Sequence, residues 1–227
     1  IQGGGPVVAS AFRNVTSGNS GPYAPRGVDN WDPAATEGYF IGANIGTFSR
    51  LMIRRVSTPG GTPTMSANIQ LNVPTTGNQI NTPQPGGTLN PVDERLFVAK
   101  IQRNTLTGVD TLWTAHHFGT NSSGVATTGG GRNSSRWYEI GNMTGTPTLV
   151  QSGTLFDTAA SSPRSYVFPS VAMSGQGHMA LGCTISGSAL SASTGAAGRL
   201  RTDALGTIRA ATITRNGAGT YTGSRWG

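Results

Sequence analysis

The sequence contains few of the residues that build disulfide frameworks, thiolate metal sites or charged surfaces. Cysteine occurs once in 227 residues, at Cys183, and charged residues make up 11% of the chain. A single cysteine excludes a disulfide framework and a cysteine-based zinc site. Because Cys183 stands among apolar neighbours in MALGCTIS, we expect a buried and unreactive thiol.

Long apolar runs are also missing from the sequence. No run approaches the ~20 residues that a membrane-spanning helix needs, so we expect no membrane span. The low charge and the abundance of Ser, Thr and Asn favour an extracellular or cell-surface protein. No signal peptide is visible, and because the chain begins at Ile1 rather than Met, we interpret its N-terminus as processed or incomplete.

Lysine is nearly absent, although the chain is basic. The formal net charge is +7, and the 16 basic residues are all arginine apart from Lys100. They are scattered singly except for Arg54-Arg55 and the Arg199/Arg201 pair, whereas a surface that tracks phosphates usually needs a cluster or a stripe. We therefore expect no nucleic-acid partner.

Turn-forming residues are abundant, with 34 Gly and 13 Pro, and the segments between them repeat. The stretch SRLMIRRVSTPGGTPTMSANIQLNV (49–73) is matched by SRWYEIGNMTGTPTLVQSGTLF (135–156), and similar strands precede both, at 38–48 and 111–121. A weaker third copy begins with HMALGCTIS (178–186). The recurring order of motifs predicts a repeating architecture of short strands.

Each repeat is interpreted as four short strands. RLFVAKIQ (95–102) and FPSVAMS (168–174) lead the second and third units, whereas the poorer strand NWDPAATE (30–37) holds that place in the first. In the third unit, the small residues of 187–197 predict a loop. The predicted units lie roughly at 28–76, 90–157 and 163–217, and a fourth is predicted to start at 223–227.

The repeat predicts an all-β fold: a β-propeller-like segment of about three four-stranded blades. Since propellers close with about four to eight blades, we expect this segment to be part of a larger or assembled propeller. The alternative is a β-sandwich or jelly roll, whose strands also come at short spacing. We favour the propeller because a sandwich has no need to repeat the same order of motifs.

Several stretches carry a resemblance to a known group of proteins. They are RLFVAKIQ, LWTAHHFGTNSSGVA, SRWYEIGN, PTLVQSGTLFD, YVFPSVAMSGQGHMALG, GRLRTDALGTIRA and the terminal SRWG. Together they resemble secreted bacterial proteins that are usually regarded as sialidase-like or related multi-bladed β-propellers. The resemblance covers roughly residues 28–227 and is strongest from 95 onward. It implies a secreted propeller whose chain continues after RWG, and it implies no catalytic residues.

The acidic residues do not match the pattern of a sialidase-type glycosidase. Such an enzyme is expected to carry Asp boxes, Ser-x-Asp-x-Gly-x-Thr-Trp, in its blade turns, and the chain has none. Other glycosidases need two carboxylates facing one sugar. The densest group of acids is Asp29, Asp32 and Glu37, which we predict to take part in ligand binding. We assign no catalytic residue.

Two adjacent histidines, His116 and His117, are further candidates for ligand binding. Because neighbouring side chains on a strand point to opposite faces, the pair cannot chelate one ion in the usual way. We expect one to face the sheet packing and the other to face solvent or the channel. Trp113, on the same strand, either stacks on a sugar or fills the space between blades. Arg132 is the last candidate for ligand binding. No metal or cofactor is predicted.

These features predict an extracellular or cell-surface structural or binding module that self-assembles into a larger structure. The partners would be further copies of the chain, or further blades of it, and the ligands would be glycans. The alternative is a carbohydrate-active enzyme, a sialidase-like glycosidase that uses the face of the propeller. A site is expected in segments that do not repeat, the loop 122–133 and the acidic segment 29–37.

Overall fold

A computed structural model describes residues 9–13, 21–44, 46–59, 61–223 and 225–226. All regular structure in these ranges is β: there are sixteen strands and no helix, and one sheet curls like half a barrel. The prediction of an all-β fold is confirmed. Within these ranges no helix could cross a membrane. Ser224 and Gly227, in the predicted start of a fourth unit, lie outside the described residues.

The first sheet is built from the segment that carries the first repeat. Its antiparallel strands are β1 (Tyr23–Gly27), β3 (Glu37–Ala43), β4 (Arg50–Ser57), β5 (Thr64–Met65) and β6 (Ile69–Asn72). Strands β5 and β6 follow each other along the same edge of β4, and the Gly-Thr-Pro-Thr turn ends where β5 starts. Two long strands and a broken third strand thus account for the repeated motif in this sheet.

The central sheet has five strands in the order β12-β11-β10-β9-β2. Four of them form an antiparallel meander: β9 (Val98–Asn104), β10 (Val109–Thr120), β11 (Arg132–Gly141) and β12 (Thr148–Leu155). The fifth, β2 (Asp29–Asn30), pairs in parallel with β9. Every residue of β10 from Thr111 to Thr120 is buried, so this strand is covered on both faces.

The third sheet is another antiparallel meander, and a small hairpin accompanies it. The meander consists of β13 (Ser165–Met173), β14 (Met179–Gly187), β15 (Leu190–Arg199) and β16 (Thr212–Arg215). The hairpin of β7 (Thr82–Gln84) and β8 (Gly87–Leu89) is bound to β14 by a hydrogen bond from the Ser186 hydroxyl to the Pro83 carbonyl. The hairpin falls between the first two predicted units.

Two apolar cores hold the three sheets face to face, with the central sheet in the middle. One core joins the first sheet to the central sheet, and it includes Ile41, Ile53, Ile101, Leu112 and Ile140. The other joins the central sheet to the third, and it includes Trp113, Trp137, Val171, Leu181 and Ile185. Strict alternation along β10 and β11 sends neighbouring side chains into different cores.

Two predictions of individual strands were wrong. The segment 30–37, placed as the leading strand of the first unit, contributes only Asn30 to β2 and Glu37 to β3, and β1 leads the first sheet instead. The predicted loop 187–197 is mostly strand β15. Small residues are needed there because a Cβ on Gly195 would collide with the buried side chain of Ile185. Close packing onto β14 therefore outweighs the weak β-propensity of Ser, Ala and Gly.

Candidate functional site

A cleft of about 330 Å³ lies along β12, which is an edge strand of the central sheet. Its volume is at the lower end of the ~300–1,000 Å³ range of small-molecule sites. Four separate parts of the chain meet in it: the segment after the first sheet, the loop 122–133, strands β11 and β12, and the loop after β15. The lining residues are Pro74, Ser123, Gly124, Arg136, Ser152, Gly153, Thr154, Phe156 and Gly206.

Arg136 on β11 supplies the charge of the cleft, and it is only 8% exposed. Its Nε donates to the Thr154 hydroxyl at 3.0 Å, and its Nη1 donates to the carbonyls of Pro74 and Thr75, both at 3.0 Å. Its guanidinium carbon lies 4.7 Å from the centre of the Phe118 ring. The guanidinium is therefore held rigidly, and it makes no ion pair with a carboxylate of any residue that the structure describes.

The remaining lining offers free hydroxyl groups and one aromatic ring. The hydroxyls of Ser123 and Ser152 make no hydrogen bond among the described residues, so both are open to a ligand. The half-buried ring of Phe156 lies against Gly124, which has a φ of +74° and no room for a side chain. A Cβ there would lie 2.6 Å from the ring. The glycine thus brings the loop 122–133 close to β12.

Two unused buried donors lie directly behind Gly153. A Cβ on Gly153 would lie 2.6 Å from Cζ2 of Trp137 and would also meet the carbonyl of Gly206. The guanidinium carbon of Arg199, a residue that is 4% exposed, lies 5.6 Å from the centre of the Trp137 ring. Neither Nε1 of Trp137 nor Nε of Arg199 has a hydrogen-bond partner among the described residues. Buried donors of this kind are rare and favour an acceptor.

The two predicted histidines point to opposite faces of the central sheet, and neither reaches solvent. His116 bonds the Glu94 carbonyl at 2.7 Å and the Tyr138 hydroxyl at 2.9 Å on the side of the first sheet. On the other side, the Phe168 amide donates to Nδ1 of His117 at 3.2 Å. The expectation that one histidine faces solvent or a channel was wrong, because both sides of β10 are covered by another sheet.

Burial keeps both histidines uncharged. It lowers the pKa of His116 to about 4, where the nearby Arg136 cation adds to the effect, and it lowers the pKa of His117 to about 3. The same burial raises the pKa of Tyr138, which stays a neutral phenol although Arg136 opposes the shift. His116 and Tyr138 thus form a neutral hydrogen-bonded pair on one face of the central sheet, His117 is neutral on the other face, and none of the three lines the cleft.

Trp113 and Arg132 are also buried and serve packing. Trp113 stacks on Trp137 with ring centres 5.7 Å apart, inside the core between the central and third sheets. Trp113 was expected either to stack on a sugar or to fill the space between blades. The structure places its side chain between two sheets, where it is not exposed to a ligand. Arg132 donates from Nη1 to the Asp157 carbonyl and from Nε to the Gly130 carbonyl at 3.3 Å. It anchors the base of the loop 122–133 and does not line the cleft.

The acidic segment lies at the opposite edge of the central sheet from β12. The Trp31 indole donates to Asp29 at 3.2 Å, Asp32 accepts from the Ala34 amide at 2.9 Å, and Glu37 accepts from the Tyr39 hydroxyl at 3.0 Å. None of the three acids lines the cleft. Trp31 is 67% exposed, which sets it apart from the buried Trp113 and Trp137.

Two further carboxylates, in the loop before β9, were not singled out from the sequence. Asp93 accepts two 2.6 Å hydrogen bonds from Arg95 and one from the Tyr23 hydroxyl. Although burial opposes them, these bonds lower the pKa of Asp93 to about 2. Burial raises the pKa of the neighbouring Glu94. Neither acid lines the cleft, so the interpretation as a two-carboxylate glycosidase gains no support from it.

The cleft is suited to binding a small polar ligand through a fixed cation, free hydroxyls and an aromatic ring. Sequence reasoning predicted the involvement of the loop 122–133, through Ser123 and Gly124, but missed Arg136 and β12 because both belong to the repeat. A signal existed: Arg136 alternates with Tyr138 and Ile140, so it occupies a core-facing position where arginine is rare.

No cluster of three or more His, Cys, Asp or Glu side chains that could hold a metal ion occurs among the residues that the structure describes. Comparisons with protein-family models, with curated proteins and with solved structures find no match to this chain.

Proposed function

We propose that this chain is an extracellular or cell-surface binding module whose cleft along β12 takes a saccharide. The observation that carries the proposal is the lining of the cleft: a rigid guanidinium, free serine hydroxyls and the Phe156 ring around about 330 Å³. Saccharides present hydroxyl groups together with apolar ring faces. Convergent polar groups beside one aromatic ring match both features of such a ligand.

The fold that we propose for the module is a sector of a β-propeller. Propeller blades are four-stranded antiparallel sheets that pack face to face around an axis. Apart from β2, which joins the central sheet, the three sheets follow one another along the chain and pack in that order, and this supports the arrangement. A β-sandwich would use two layers, whereas the central sheet here is covered on both faces.

Saccharide binding is tested by screening the purified protein on a glycan array and measuring the affinity of each hit by calorimetry. The Ser123→Trp variant fills the mouth of the cleft from an exposed loop position. We expect it to weaken binding at least about tenfold, that is by about 1.4 kcal/mol. The control is Ser122→Trp, at the exposed neighbour that does not line the cleft. Equal binding by both variants, or no binding to any saccharide, would contradict the proposal.

A second candidate function, assembly with another copy of the chain, is favoured by the outer face of the third sheet. This face lies opposite the core residues of β13–β15 and is made mostly of small side chains, with Arg215 opposite Thr194 at the β16 edge and the Trp226 indole donating to the Thr184 hydroxyl on β14. Its exposed members are Ser170, Ala172, Ala180, Thr194, Ala196, Thr212 and Thr214. A flat face of this kind suits the packing of another sheet at about 10 Å.

Assembly is tested by multi-angle light scattering over a range of protein concentrations. We expect the wild type to form species larger than 23.3 kDa. The Ala180→Arg variant places a further charge on the outer face, on a strand with a neighbour on each side, and should remain a monomer. Ala34→Arg, an exposed position at the other edge of the central sheet, is the control and should assemble normally. A wild type that stays monomeric at high concentration would contradict this second function.

A further inference from the structure

We infer that the saccharide bound in this cleft carries an oxyanion, either a carboxylate or a sulfate ester, which pairs with Arg136. The inference rests on the proposed function and adds the chemical class of the ligand. It depends on how the charge of Arg136 is accommodated. Most buried charges in proteins are paired with an opposite charge or bound to a metal. Arg136 is 8% exposed, and within the described part of the chain it makes no ion pair with a carboxylate.

The contacts of Arg136 are all with neutral groups. Nε donates to Thr154 and Nη1 donates to Pro74 and Thr75, and the Tyr138 hydroxyl lies close enough to the guanidinium to interact with it. Because all these partners are neutral, the positive charge itself is not compensated. A planar guanidinium held in this way matches the oxygens of a carboxylate or a sulfate.

The positive charge in and around the cleft is not balanced by its lining. No lining residue is acidic, and the chain as a whole has a formal net charge of +7. Next to the Trp137 ring lies a second buried guanidinium, that of Arg199, whose Nε is unused, as is Nε1 of Trp137, although the Asp203 carboxylate interacts with this guanidinium. Charges in a partly enclosed cleft act more strongly than charges on an open surface. The local field therefore favours an anion over a neutral sugar.

The hydroxyls of Ser123 and Ser152 extend the same recognition. Both are free hydroxyl groups in the lining that can donate hydrogen bonds, which an oxyanion can accept. Phe156 provides the apolar wall for the ring of the sugar that carries the anionic group. The charged group would thus bind at Arg136 and the ring would bind against Phe156, which fixes one orientation for the ligand.

The test compares the affinity of the intact chain for three soluble polysaccharides: a polyuronate, a sulfated galactan and a neutral galactan. We expect at least about tenfold tighter binding to one of the two acidic polymers than to the neutral one. The polyuronate arm reports a preference for carboxylate, and the sulfated arm a preference for sulfate. Equal binding of all three polymers would overturn the inference while leaving the proposed saccharide site intact.

Two variants assign the preference to the cleft. Ser123→Glu places a carboxylate in the lining that contains Arg136 and should weaken binding of the acidic polymers at least about tenfold more than binding of the neutral one. Ser122→Glu adds the same charge at the exposed neighbour outside the lining and should keep the preference. If both variants lose it equally, the preference reflects overall charge and the inference is wrong.

A substitution of Arg136 itself provides an independent measurement. Arg136→Lys keeps the charge but loses the planar group that holds Pro74 and Thr75, so its thermal unfolding is measured beside its affinity. If the variant folds, we expect at least about tenfold weaker binding of the preferred acidic polymer. If it does not fold, the Ser123→Glu comparison still decides the question. A folded variant with unchanged acidic binding would show that Arg136 does not contact the anion.

Discussion

Buried arginines in this protein act as hydrogen-bond donors to backbone carbonyls. Arg136 binds the carbonyls of Pro74 and Thr75, Arg199 binds that of Asp203, and Arg132 binds that of Asp157. In each case the guanidinium fastens a loop to a sheet, a role that needs several donors on a planar group. This explains why single arginines are spread along the sequence and why their number says little about a nucleic-acid partner.

The buried histidines predict how stability depends on pH. In the folded chain the pKa of His116 is about 4 and that of His117 about 3, whereas both return to about 6.5 on unfolding. Because only the unfolded chain gains protons as pH falls through about 6.5, the stability due to these residues is present above that pH. It is lost as pH falls toward about 4, by up to about 2.7 kcal/mol per pH unit for two histidines.

Urea unfolding between about pH 7 and 4 checks this expectation, with His117→Gln as the diagnostic variant. Glutamine keeps an acceptor for the Phe168 amide but cannot take up a proton in this range. The slope of the unfolding free energy against pH contains a contribution from the two histidines. We expect the variant to lose about half of that contribution. A slope that is the same in the wild type and in the variant would mean that His117 does not titrate on unfolding.

Strands that carry large apolar residues were predictable from the sequence, because alternation and turns mark them directly. The segments around SRLMIRR and SRWYEIG fall on β4 and β11, and the Gly-Thr-Pro-Thr stretches lead into β5 and β12. Strand β15 was not predictable in this way. Its sequence LSASTGAAGR has no large side chain after Leu190 until Arg199, and its position is decided by tertiary packing of Gly195 on Ile185.

The site was only partly predictable, for a similar reason. The loop 122–133 stands out because it interrupts the repeat, and Ser123 and Gly124 do line the cleft. Arg136 was hidden because it belongs to the repeated Ser-Arg motif, which suggests a role in architecture. The contributions of Pro74 and Gly206 depend on contacts between distant parts of the chain, which the spacing of residues in one sequence does not contain.

The close approach of β12 to the loop after β15 predicts a strong effect of a single methyl group. In Gly153→Ala the new Cβ would meet the Trp137 ring at 2.6 Å and the Gly206 carbonyl, and neither can move without disturbing the core. We expect a loss of about 3 kcal/mol in the free energy of unfolding, measured by urea titration.

The matched control is Gly182→Ala on β14, where a Cβ has no neighbour within 4 Å. Alanine there should change the unfolding free energy by no more than about 1 kcal/mol. Similar effects of the two substitutions would show that the contact between β12 and Gly206 is looser than the structure indicates.

At the scale of the whole molecule, the central sheet is shared by both apolar cores, so the layers are expected to unfold together. Ile101 on β9 belongs to the core on the side of the first sheet, while Trp113 and Trp137 report on the other core. We expect Ile101→Ala to lower the unfolding free energy by about 2–5 kcal/mol. Tryptophan fluorescence and far-UV circular dichroism should show the same shift in urea midpoint.

A different result would contradict the expectation that the three layers unfold together. If Ile101→Ala shifts the transition seen by circular dichroism but leaves the fluorescence transition in place, the two cores unfold separately. The same experiment on Leu181→Ala, in the core between the central and third sheets, gives the reverse comparison. Only a shared transition in both variants fits a central sheet that serves two cores.

The short parallel pairing of β2 with β9 sets an order for folding. Asp29 lies beside Lys100 across a sequence separation of 71 residues, and the ladder between the strands has two residue pairs, next to which the Trp31 amide donates to the Ile101 carbonyl. Closing so long a loop for so few contacts is entropically unfavourable until the meander β9–β12 exists as a template. Segment 29–31 should therefore dock last, and in the native protein its amides should exchange with deuterium before those of β9.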